Sequence, residues 1–379
     1  MKAWPIVPLS KVLQHRKEFI TIDDMQQYKR CRVQLHAQGV VLRDTIPGAD
    51  IKTKKQQVCR AGDFLVAEID AKMGGFGMVP DALEGAVVSS HYFLFDIDGD
   101  QLDRGYLHHF CRTQRFRSQV EAQGSTNYAA IRPADVLTYT IPLPPPADQQ
   151  SLVMHFDELA AKIQQVEAHL DAAERDAEQT VLALHHQLAR GREVTLAEIL
   201  ERHEESVPVA LGESYPQVGV RSFGGGLFAK AAVAAHETSY RAFNRLYPDA
   251  IVLSQVKGWE GAIALTPSEL GGMFVSPEYR TFRCLPGQAI PRYVAEIFKT
   301  PWFWSLLQDA TRGVGARRER TRPEQFLNVR LPMPTLDQQR AATKVFTRLT
   351  ELKAKHATIR QANAALLPAT LERVFSGGD

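Results

Sequence analysis

The stretch PLPPPADQQ, residues 142 to 150, returns near the other end of the chain as PMPTLDQQ, residues 332 to 339. In both phrases the prolines fix φ and remove backbone donors, which favours an extended path over a helix. A long run of good helix formers follows each phrase. The sequence therefore predicts two long helices, each entered through a proline connector.

The similarity extends well upstream of the two phrases. IRPADVLTYTIPLPPPADQQ aligns with TRPEQFLNVRLPMPTLDQQ, and VPDALEGAVVSSHYFLF aligns with LTPSELGGMFVSPEYRTF. Further back, VPLSKVL pairs with VTLAEIL, and Asp63 pairs with Asp249. Ordered matches at a nearly constant shift indicate an internal repeat rather than chance similarity. We interpret the chain as two divergent copies, residues 1–190 and 191–379.

Each copy has the same internal plan. Short apolar runs such as DFLVAEI and DAIVLSQV alternate with Gly and Pro, which is typical of mainly β, α+β globular domains. The predicted fold class is thus α+β, with two mainly-β globular domains alternating with two long helices and an internal pseudo-two-fold repeat. The predicted segments are globular domain 1 at 1–140, connector and helix 1 at 141–191, globular domain 2 at 192–330, and connector and helix 2 at 331–379.

Both helices carry apolar residues at heptad spacing. The first is predicted to begin at an N-cap, Asp148, and to extend to about Arg190, while the second begins at Asp337. His356 and Asn363 interrupt the second pattern with polar side chains that cost stability but can fix register. The predicted seam residues are Leu152, Phe156, Leu159, Ile163, Val166 and Leu170 in the first helix, and Val345, Leu349, Leu352, Ile359 and Leu366 in the second.

The two helices carry opposite charge. Residues 152–178 contain seven acidic side chains against two basic ones, whereas residues 337–374 contain seven basic side chains against three acidic ones. Unlike helices attract and like helices repel, so each favours the other over a copy of itself. The pattern predicts an antiparallel coiled coil within one chain. The alternative is two separate amphipathic helices with solvated faces.

Composition and motifs limit the classes of function. The chain has 379 residues, 44% apolar content and four scattered cysteines, which fits a soluble cytoplasmic protein without a disulfide framework or a membrane span. None of the common nucleotide-binding or hydrolase motifs occurs, and no cysteine spacing suggests a metal site. The pair Asp249 and Lys257 weakly resembles a nuclease pattern, but Gln255 stands where a second acid is needed. We expect no enzyme activity, no cofactor and no metal.

Basic residues gather on glycine-flexed loops of both predicted globular domains. Arg and Lys on such loops suit phosphate contacts, and Arg also makes bidentate contacts to guanine. Solvated surface charge is the alternative for any single cluster, but recurrence in both copies favours nucleic-acid binding. The predicted DNA-binding residues are Arg43, Lys52, Lys54, Lys55, Lys72, Arg221, Lys230, Lys257, Trp259, Arg312, Arg317, Arg318 and Arg320.

The phrases IPLPPPADQQSLVMHFDELAAKIQQVEAHL, LPMPTLDQQ and LLPATLERVFSGG resemble the specificity subunit of type I restriction-modification systems. The resemblance covers essentially the whole chain. It implies two target-recognition domains that each read one half of a bipartite, gapped site on double-stranded DNA, with the coiled coil setting the gap. It also implies two methyltransferase subunits as partners, which would carry S-adenosylmethionine, and a motor subunit that cuts DNA.

Two departures from the family pattern concern the second copy. Its helix has a poorer seam, and TRGVGARRERTR stands in place of QGSTNYAAIR. Such differences are expected if the two domains read different bases. The rival hypothesis is a bivalent coiled-coil adaptor that binds protein rather than DNA.

Overall fold

The computed structural model describes residues 4–121, 130–311 and 320–376. The chain divides into two compact units, described separately below. Unit 1 comprises Met1–Ala168 and Thr358–Asp379, and unit 2 comprises His169–Ala357. Both boundaries fall inside long helices, so each unit contains a part of each helix.

Unit 1 combines eleven strands with three short helices and parts of the two long ones, within the described ranges. Its strands are β1 (Ile6–Pro8), β2 (Leu13–Arg16), β3 (Phe19–Thr21), β4 (Gln27–Gln34), β5 (Gly39–Pro47), β6 (Lys55–Val58), β7 (Phe64–Ala67), β8 (Phe76–Met78), β9 (Val87–Val88), β10 (Tyr92–Ile97) and β11 (Thr140–Pro142). Its helices are α1 (Arg104–Cys111), α2 (Gln114–Glu121) and α3 (Pro133–Thr138), followed by the first part of α4 (Pro146–Leu188).

Unit 2 follows the same order. Its strands are β12 (Glu193–Thr195), β13 (Leu200–Arg202), β14 (Glu205–Pro208), β15 (Ser214–Tyr215), β16 (Val218–Val220), β17 (Leu227–Ala229), β18 (Val233–Ala234), β19 (Ala242–Arg245), β20 (Ile251–Ser254), β21 (Ile263–Leu265), β22 (Phe274–Val275), β23 (Tyr279–Cys284) and β24 (Arg330–Pro332). The helices are α5 (Pro291–Phe298), α6 (Pro301–Thr311), α7 (Pro323–Leu327) and the first part of α8 (Leu336–Phe375).

The sheets repeat from one unit to the other. Unit 1 has a four-stranded antiparallel sheet in the order β2-β10-β7-β8, and unit 2 has its counterpart, β13-β23-β20-β21. The pairs β1-β11 and β12-β24 correspond in the same way, each tying the start of a unit to the strand before a long helix. The second sheets differ. Unit 1 has five strands in the order β3-β6-β9-β4-β5, whereas unit 2 has β14-β19-β22 and two small pairs.

Aromatic cores join the four-stranded sheets to the helices. In unit 1, Phe64 and Phe95 of the sheet pack with Phe116 of α2, while Phe156 of α4 packs against Phe375 at the end of α8. In unit 2 the corresponding cluster contains Phe282, Phe303 and Phe346. All of these rings are buried, and each contributes on the order of 2 kcal/mol or more relative to exposure. The long helices are therefore part of the two cores.

The helix starts differ slightly from the sequence prediction. The first long helix begins at Pro146, so Asp148 lies in its first turn and is not the N-cap. The second begins at Leu336, so Asp337 lies in its first turn and Thr335 is the cap. The Thr335 hydroxyl accepts from the Gln338 N–H at 3.5 Å, and the Thr335 N–H donates to Gln338 Oε1 at 3.0 Å. Proline in the first turn costs no intrahelical hydrogen bond, which lets α4 start three residues earlier than a cap at Asp148 predicts.

Candidate nucleic-acid interface

A buried glutamine fastens the first long helix to its globular domain. Gln149, the first glutamine of PADQQ, is fully buried. Its Oε1 accepts from the Asp103 N–H at 2.8 Å, and its Nε2 donates to the Gln101 and Pro144 carbonyls, both at 2.8 Å. The amide thus satisfies three backbone groups at the loop before α1 and at the proline connector.

Gln339 repeats this junction in unit 2. It is also fully buried, and its Oε1 accepts from the Ile290 N–H at 2.9 Å. Its Nε2 donates to the Gln288 and Pro334 carbonyls at 3.3 and 2.9 Å. One glutamine in each copy thus fixes the direction in which the helix leaves its domain. It is the first glutamine of DQQ in copy one and the second in copy two, so the glutamine and its proline partner correspond at a shift of 190 residues and not letter by letter in the DQQ phrase.

In each unit the two long helices contact each other in the antiparallel sense. In unit 1, Asn363 Nδ2 donates to the Ile163 carbonyl at 3.1 Å and to Glu167 Oε1 at 2.9 Å, and Arg360 pairs with Glu167. In unit 2, Lys353 pairs with Glu178 at 2.9 Å and His356 with Glu174 at 3.3 Å. Basic residues of α8 thus meet acidic residues of α4 in both units.

The face by which α8 packs is only partly the one predicted. Val345, Leu352, Ile359 and Leu366 are exposed, with 37% to 46% of their surface accessible, and Leu349 is half-buried. The packed face keeps the two polar seam positions, His356 and Asn363. In place of Val345, Ile359 and Leu366 it contains Phe346, Arg360 and Leu367, each one position further along the helix. The aliphatic spacing misplaced these residues because the middle of the packed face is polar and contacts glutamates of α4.

The predicted seam of α4 fits its surroundings better. Phe156 and Leu170 are buried, and Leu152, Leu159 and Ile163 are half-buried against the core of unit 1. Val166 is the exception, at 36% exposed.

A charge exchange tests whether the acid–base contacts contribute to the pairing. Glu167→Arg should lower the free energy of unfolding by about 1 kcal/mol, because the Arg360 and Asn363 donors lose their acceptor and both side chains are about a third exposed. Combining it with Arg360→Glu should restore about 0.5 to 1 kcal/mol. Urea denaturation of the single and double variants measures this coupling. Glu158→Arg is the control, since Glu158 is exposed and has no ion pair to a described residue. A coupling of zero would exclude a stabilising role.

Four of the predicted basic residues of unit 1 lie in strand β5 or β6 of its five-stranded sheet or shortly before β6: Arg43, Lys52, Lys54 and Lys55. Arg43 and Lys52 line one open pocket of about 310 Å³, together with Arg30, Gln56 and Tyr92. Arg30 donates to both carboxylate oxygens of Asp44 at 2.7 Å and holds the pKa of that carboxyl below its usual value. Arg30, Gln56 and Tyr92 were missed by the sequence analysis, since nothing in their spacing indicates that β4, β6 and β10 bring them beside Arg43.

The other predicted residues of unit 1 already make contacts within the protein or are partly buried. Lys54 pairs with Asp24 at 2.5 Å and donates to the Gly48 carbonyl at 2.8 Å. The Lys55 ammonium lies 4.8 Å from the centre of the Phe19 ring, and Lys72 is half-buried in the 3-10 helix Asp70–Met73. Lys54 therefore braces a loop, whereas Arg43 and Lys52 remain exposed.

Three loops converge in unit 2. The Phe223 N–H donates to the Glu260 carbonyl at 2.8 Å, and the Thr321 N–H donates to the Gln255 carbonyl at 2.8 Å. These two hydrogen bonds hold the three loops together. The loops and the segments next to them carry five of the predicted residues: Arg221, Lys230, Lys257, Trp259 and Arg320.

These five residues differ in how far they are already paired. The Arg221 guanidinium lies 4.4 Å from the Phe228 ring, and Lys230 is exposed. Lys257 pairs with Glu260 at 3.4 Å and Arg320 with Glu278 at 3.1 Å, while Trp259 is half-buried. Arg312, Arg317 and Arg318 lie outside the described residues.

Asp249 of the nuclease-like pattern and its counterpart Asp63 in the first copy both take part in contacts that stabilise the fold. Asp63 is buried against Arg16, and burial raises the pKa of its carboxyl, an effect that Arg16 opposes. Asp249 adopts a left-handed backbone conformation, φ 60°, and its N–H donates to the Thr266 carbonyl. Over the described ranges, no group of three His, Cys, Asp or Glu side chains could hold a metal ion.

Comparison with solved structures identifies the fold of the chain. No protein-family model matches the chain, and no curated protein matches it in sequence. Among solved structures, the HsdS subunit from Thermoanaerobacter tengcongensis is similar over 99% of this chain and 97% of its own, with a TM-score of 0.60 and 18% identity. The chain has the HsdS fold.

A second solved structure agrees with the first. A chain from a study of complex assembly and conformational transition in the type I restriction-modification system covers all of this chain and 96% of its own. Its TM-score is 0.66 and its identity 17%. The mixed α+β fold with two long helices, predicted from the sequence, is therefore confirmed. In the part of the chain that the structure describes, no helix is both long and apolar enough to cross a membrane.

Proposed function

We propose that this chain is the DNA-specificity subunit of a type I restriction-modification complex. The observation that carries the proposal is the likeness to the HsdS fold over 99% of the chain. The repeated junctions at Gln149 and Gln339 support it, because they attach two separate globular domains to two helices in the same manner.

Each globular domain reads one half of a bipartite site on double-stranded DNA. Domain 1 comprises residues 1–140 and domain 2 residues 192–330, with connectors and helices at 141–191 and 331–379. The exposed Arg43 and Lys52 pocket of unit 1 and the converging loops of unit 2 support this assignment. The second sheets of the two units differ in strand number and order, which fits two domains that read different bases.

The two helices form an antiparallel coiled coil that sets the gap between the half-sites. The acid–base contacts between α4 and α8 inside each unit support this arrangement. The coiled coil also docks two methyltransferase subunits, and the exposed apolar residues of α8 provide surface for them: Val345, Leu352, Ile359 and Leu366. S-adenosylmethionine binds the partner subunits, a motor subunit cuts DNA, and this chain, which acts in the cytoplasm, is not catalytic.

Mapping of adenine methylation at base resolution tests the proposal. Cells that express this chain with its methyltransferase should carry methylation at a single asymmetric motif with two fixed halves and an unspecified gap. Cells that express the methyltransferase alone are the control and should lack that motif. Methylation at the same motif without this chain would exclude it as the specificity subunit.

The salt dependence of DNA binding separates this function from that of a protein adaptor. Neutralising phosphates releases counterions, so the affinity of the assembled complex for its site should fall about 10³-fold or more between 50 and 200 mM salt if six or more phosphates are contacted. Fluorescence anisotropy with labelled duplex measures it. An affinity that is independent of salt and of sequence would support the adaptor instead.

A further inference from the structure

A cleft of about 520 Å³ lies in unit 2 between the globular part and the two helices. Its walls are aromatic, formed by Phe223 of the β16–β17 loop and by Trp302 and Trp304 of α6. Phe346 and Leu349 of α8 line it as well. A concave apolar site of this size can hold one or two large side chains. Phe223 belongs to one of the converging loops described above, but none of the predicted DNA-binding residues that the structure describes lines the cleft.

Phe223 is held in the cleft wall at an energetic cost. It is 70% exposed, and its φ is 56°, in the left-handed region that non-glycine residues rarely adopt. Its N–H donates to the Glu260 carbonyl, and the next N–H, of Gly224, donates to the Gly261 carbonyl at 3.2 Å. The ring meets Trp304 edge-on, with centroids 5.9 Å apart. A strained backbone that presents an apolar ring to solvent points to a role outside folding.

The charges at the rim indicate which class of molecule fits. Lys353 pairs with Glu178 and Lys299 pairs with Glu296, so two of the basic rim residues are neutralised. Arg175 forms no ion pair with any described residue. One acidic group on an incoming molecule would therefore find a partner. Because each rim glutamate is paired with a lysine, the rim offers one unpaired cation among the described residues, which suits a single acidic side chain better than a chain of phosphates.

The cleft continues into an exposed apolar face of α8. Val345, Leu349 and Leu352 lie on one side of the helix by their spacing of four and three, and Leu349 also lines the cleft. An apolar stripe that leads into a pocket suits an amphipathic helix with one bulky anchor residue. The stripe would pack along the apolar face of such a helix, and the cleft would hold its anchor residue.

Unit 1 has different residues at the corresponding positions. Thr113 caps α2 as Thr300 caps α6, with the hydroxyl donating to the carbonyl three residues earlier at 2.7 Å in both units. This correspondence places Arg115 and Arg117 where unit 2 has Trp302 and Trp304. Arg115 donates to the Phe375 carbonyl at 2.6 Å. Among the residues that the structure describes, the aromatic cleft is therefore particular to unit 2.

We propose that this cleft is the anchoring site for an amphipathic helix of one methyltransferase subunit, which inserts a bulky apolar side chain between Phe223, Trp302 and Trp304 and places an acidic side chain beside Arg175. This inference rests on the proposed function. It makes the two docking positions unequal, because the anchor exists in unit 2 alone. One partner copy thus binds more tightly than the other.

Titration of the full chain with its purified methyltransferase subunit tests the anchor. Wild-type chain should bind two copies in two resolvable steps. Phe223→Gly should weaken the tighter step at least tenfold, which is the scale of an interface hot spot, and leave the other step unchanged. Glycine accepts the positive φ, so the variant should melt no lower than wild type. Arg175→Glu should weaken the same step several-fold.

Leu211→Ala is the matched control, since Leu211 is 94% exposed in the same unit and does not line the cleft. Wild-type affinity for both variants would overturn the anchor, and equal weakening of both steps would overturn its restriction to one copy. A loss of DNA affinity by the assembled complex with unchanged subunit binding would assign the cleft to nucleic acid. If wild-type chain failed to bind the methyltransferase at all, the proposed function itself would fail.

Discussion

Replacing Gln149 with leucine is expected to lower the free energy of unfolding by about 3 to 5 kcal/mol. The leucine leaves three backbone groups without their partner in a buried site, namely the Asp103 N–H and the Gln101 and Pro144 carbonyls. Each unsatisfied group costs about 1 to 3 kcal/mol, and the apolar side chain recovers part of that. Chemical denaturation followed by circular dichroism measures the loss.

Hydrogen exchange shows whether the loss arises at the junction. The Asp103 amide should exchange faster in Gln149→Leu, and the Ile290 amide should do so in Gln339→Leu, because each donates to the substituted side chain. Gln150→Leu is the matched control, since Gln150 is the next residue of the helix and is exposed. This substitution should change the free energy of unfolding by less than about 0.5 kcal/mol. Equal destabilisation by Gln149→Leu and Gln150→Leu would contradict the role of the buried amide.

Exchange of residues 10–135 for the matching domain of another specificity subunit is expected to change one half of the methylated motif and to leave the other half and the gap intact. The affinity of a protein for its specific DNA site exceeds its non-specific affinity by about 10³-fold or more. Methylation at the old half-site should therefore fall below detection. The exchanged segment ends before the proline connector, so Gln149 and α4 are retained. Methylation mapping in cells reads the result directly.

The reciprocal exchange supplies the control. Replacing residues 197–325, the corresponding segment of the second copy, should change the other half-site only. A change in both halves from either exchange would show that the domains do not read DNA independently. A change in gap length without a change in either half would assign the exchanged residues to spacing instead of reading.

Several features of this fold follow from local sequence. The echo of PLPPPADQQ in PMPTLDQQ predicts two equivalent junctions, and β1-β11 with α4 corresponds to β12-β24 with α8 in the structure. The long helices were predictable because their residues favour helix over many turns and the prolines before them stop the preceding strands. The opposite charges of the helices predicted the kind of contact made by Lys353 with Glu178.

The face of α8 that packs could not be read in the same way. Val345, Leu352, Ile359 and Leu366 form a regular apolar stripe, yet all four are exposed. The polar seam positions His356 and Asn363 do pack, because α4 offers Glu174, Glu167 and a backbone carbonyl to these groups. Periodicity shows where apolar residues recur along a helix, but it does not show which of two neighbouring faces packs against the partner helix.

By itself, then, the sequence determined the repeat, the two helices, their opposite charges and the α+β class, since these depend on residues close together in the chain. Tertiary structure alone decided that Gln149 and Gln339 fasten the junctions, that Arg30 joins Arg43 around one pocket, and that Phe223 meets Trp304. Each of these arrangements brings together residues from different elements, as when Gln149 bonds Asp103, Gln339 bonds Ile290 and Phe223 meets Trp304. Their partners are fixed by how sheets and helices pack, and no local pattern encodes that.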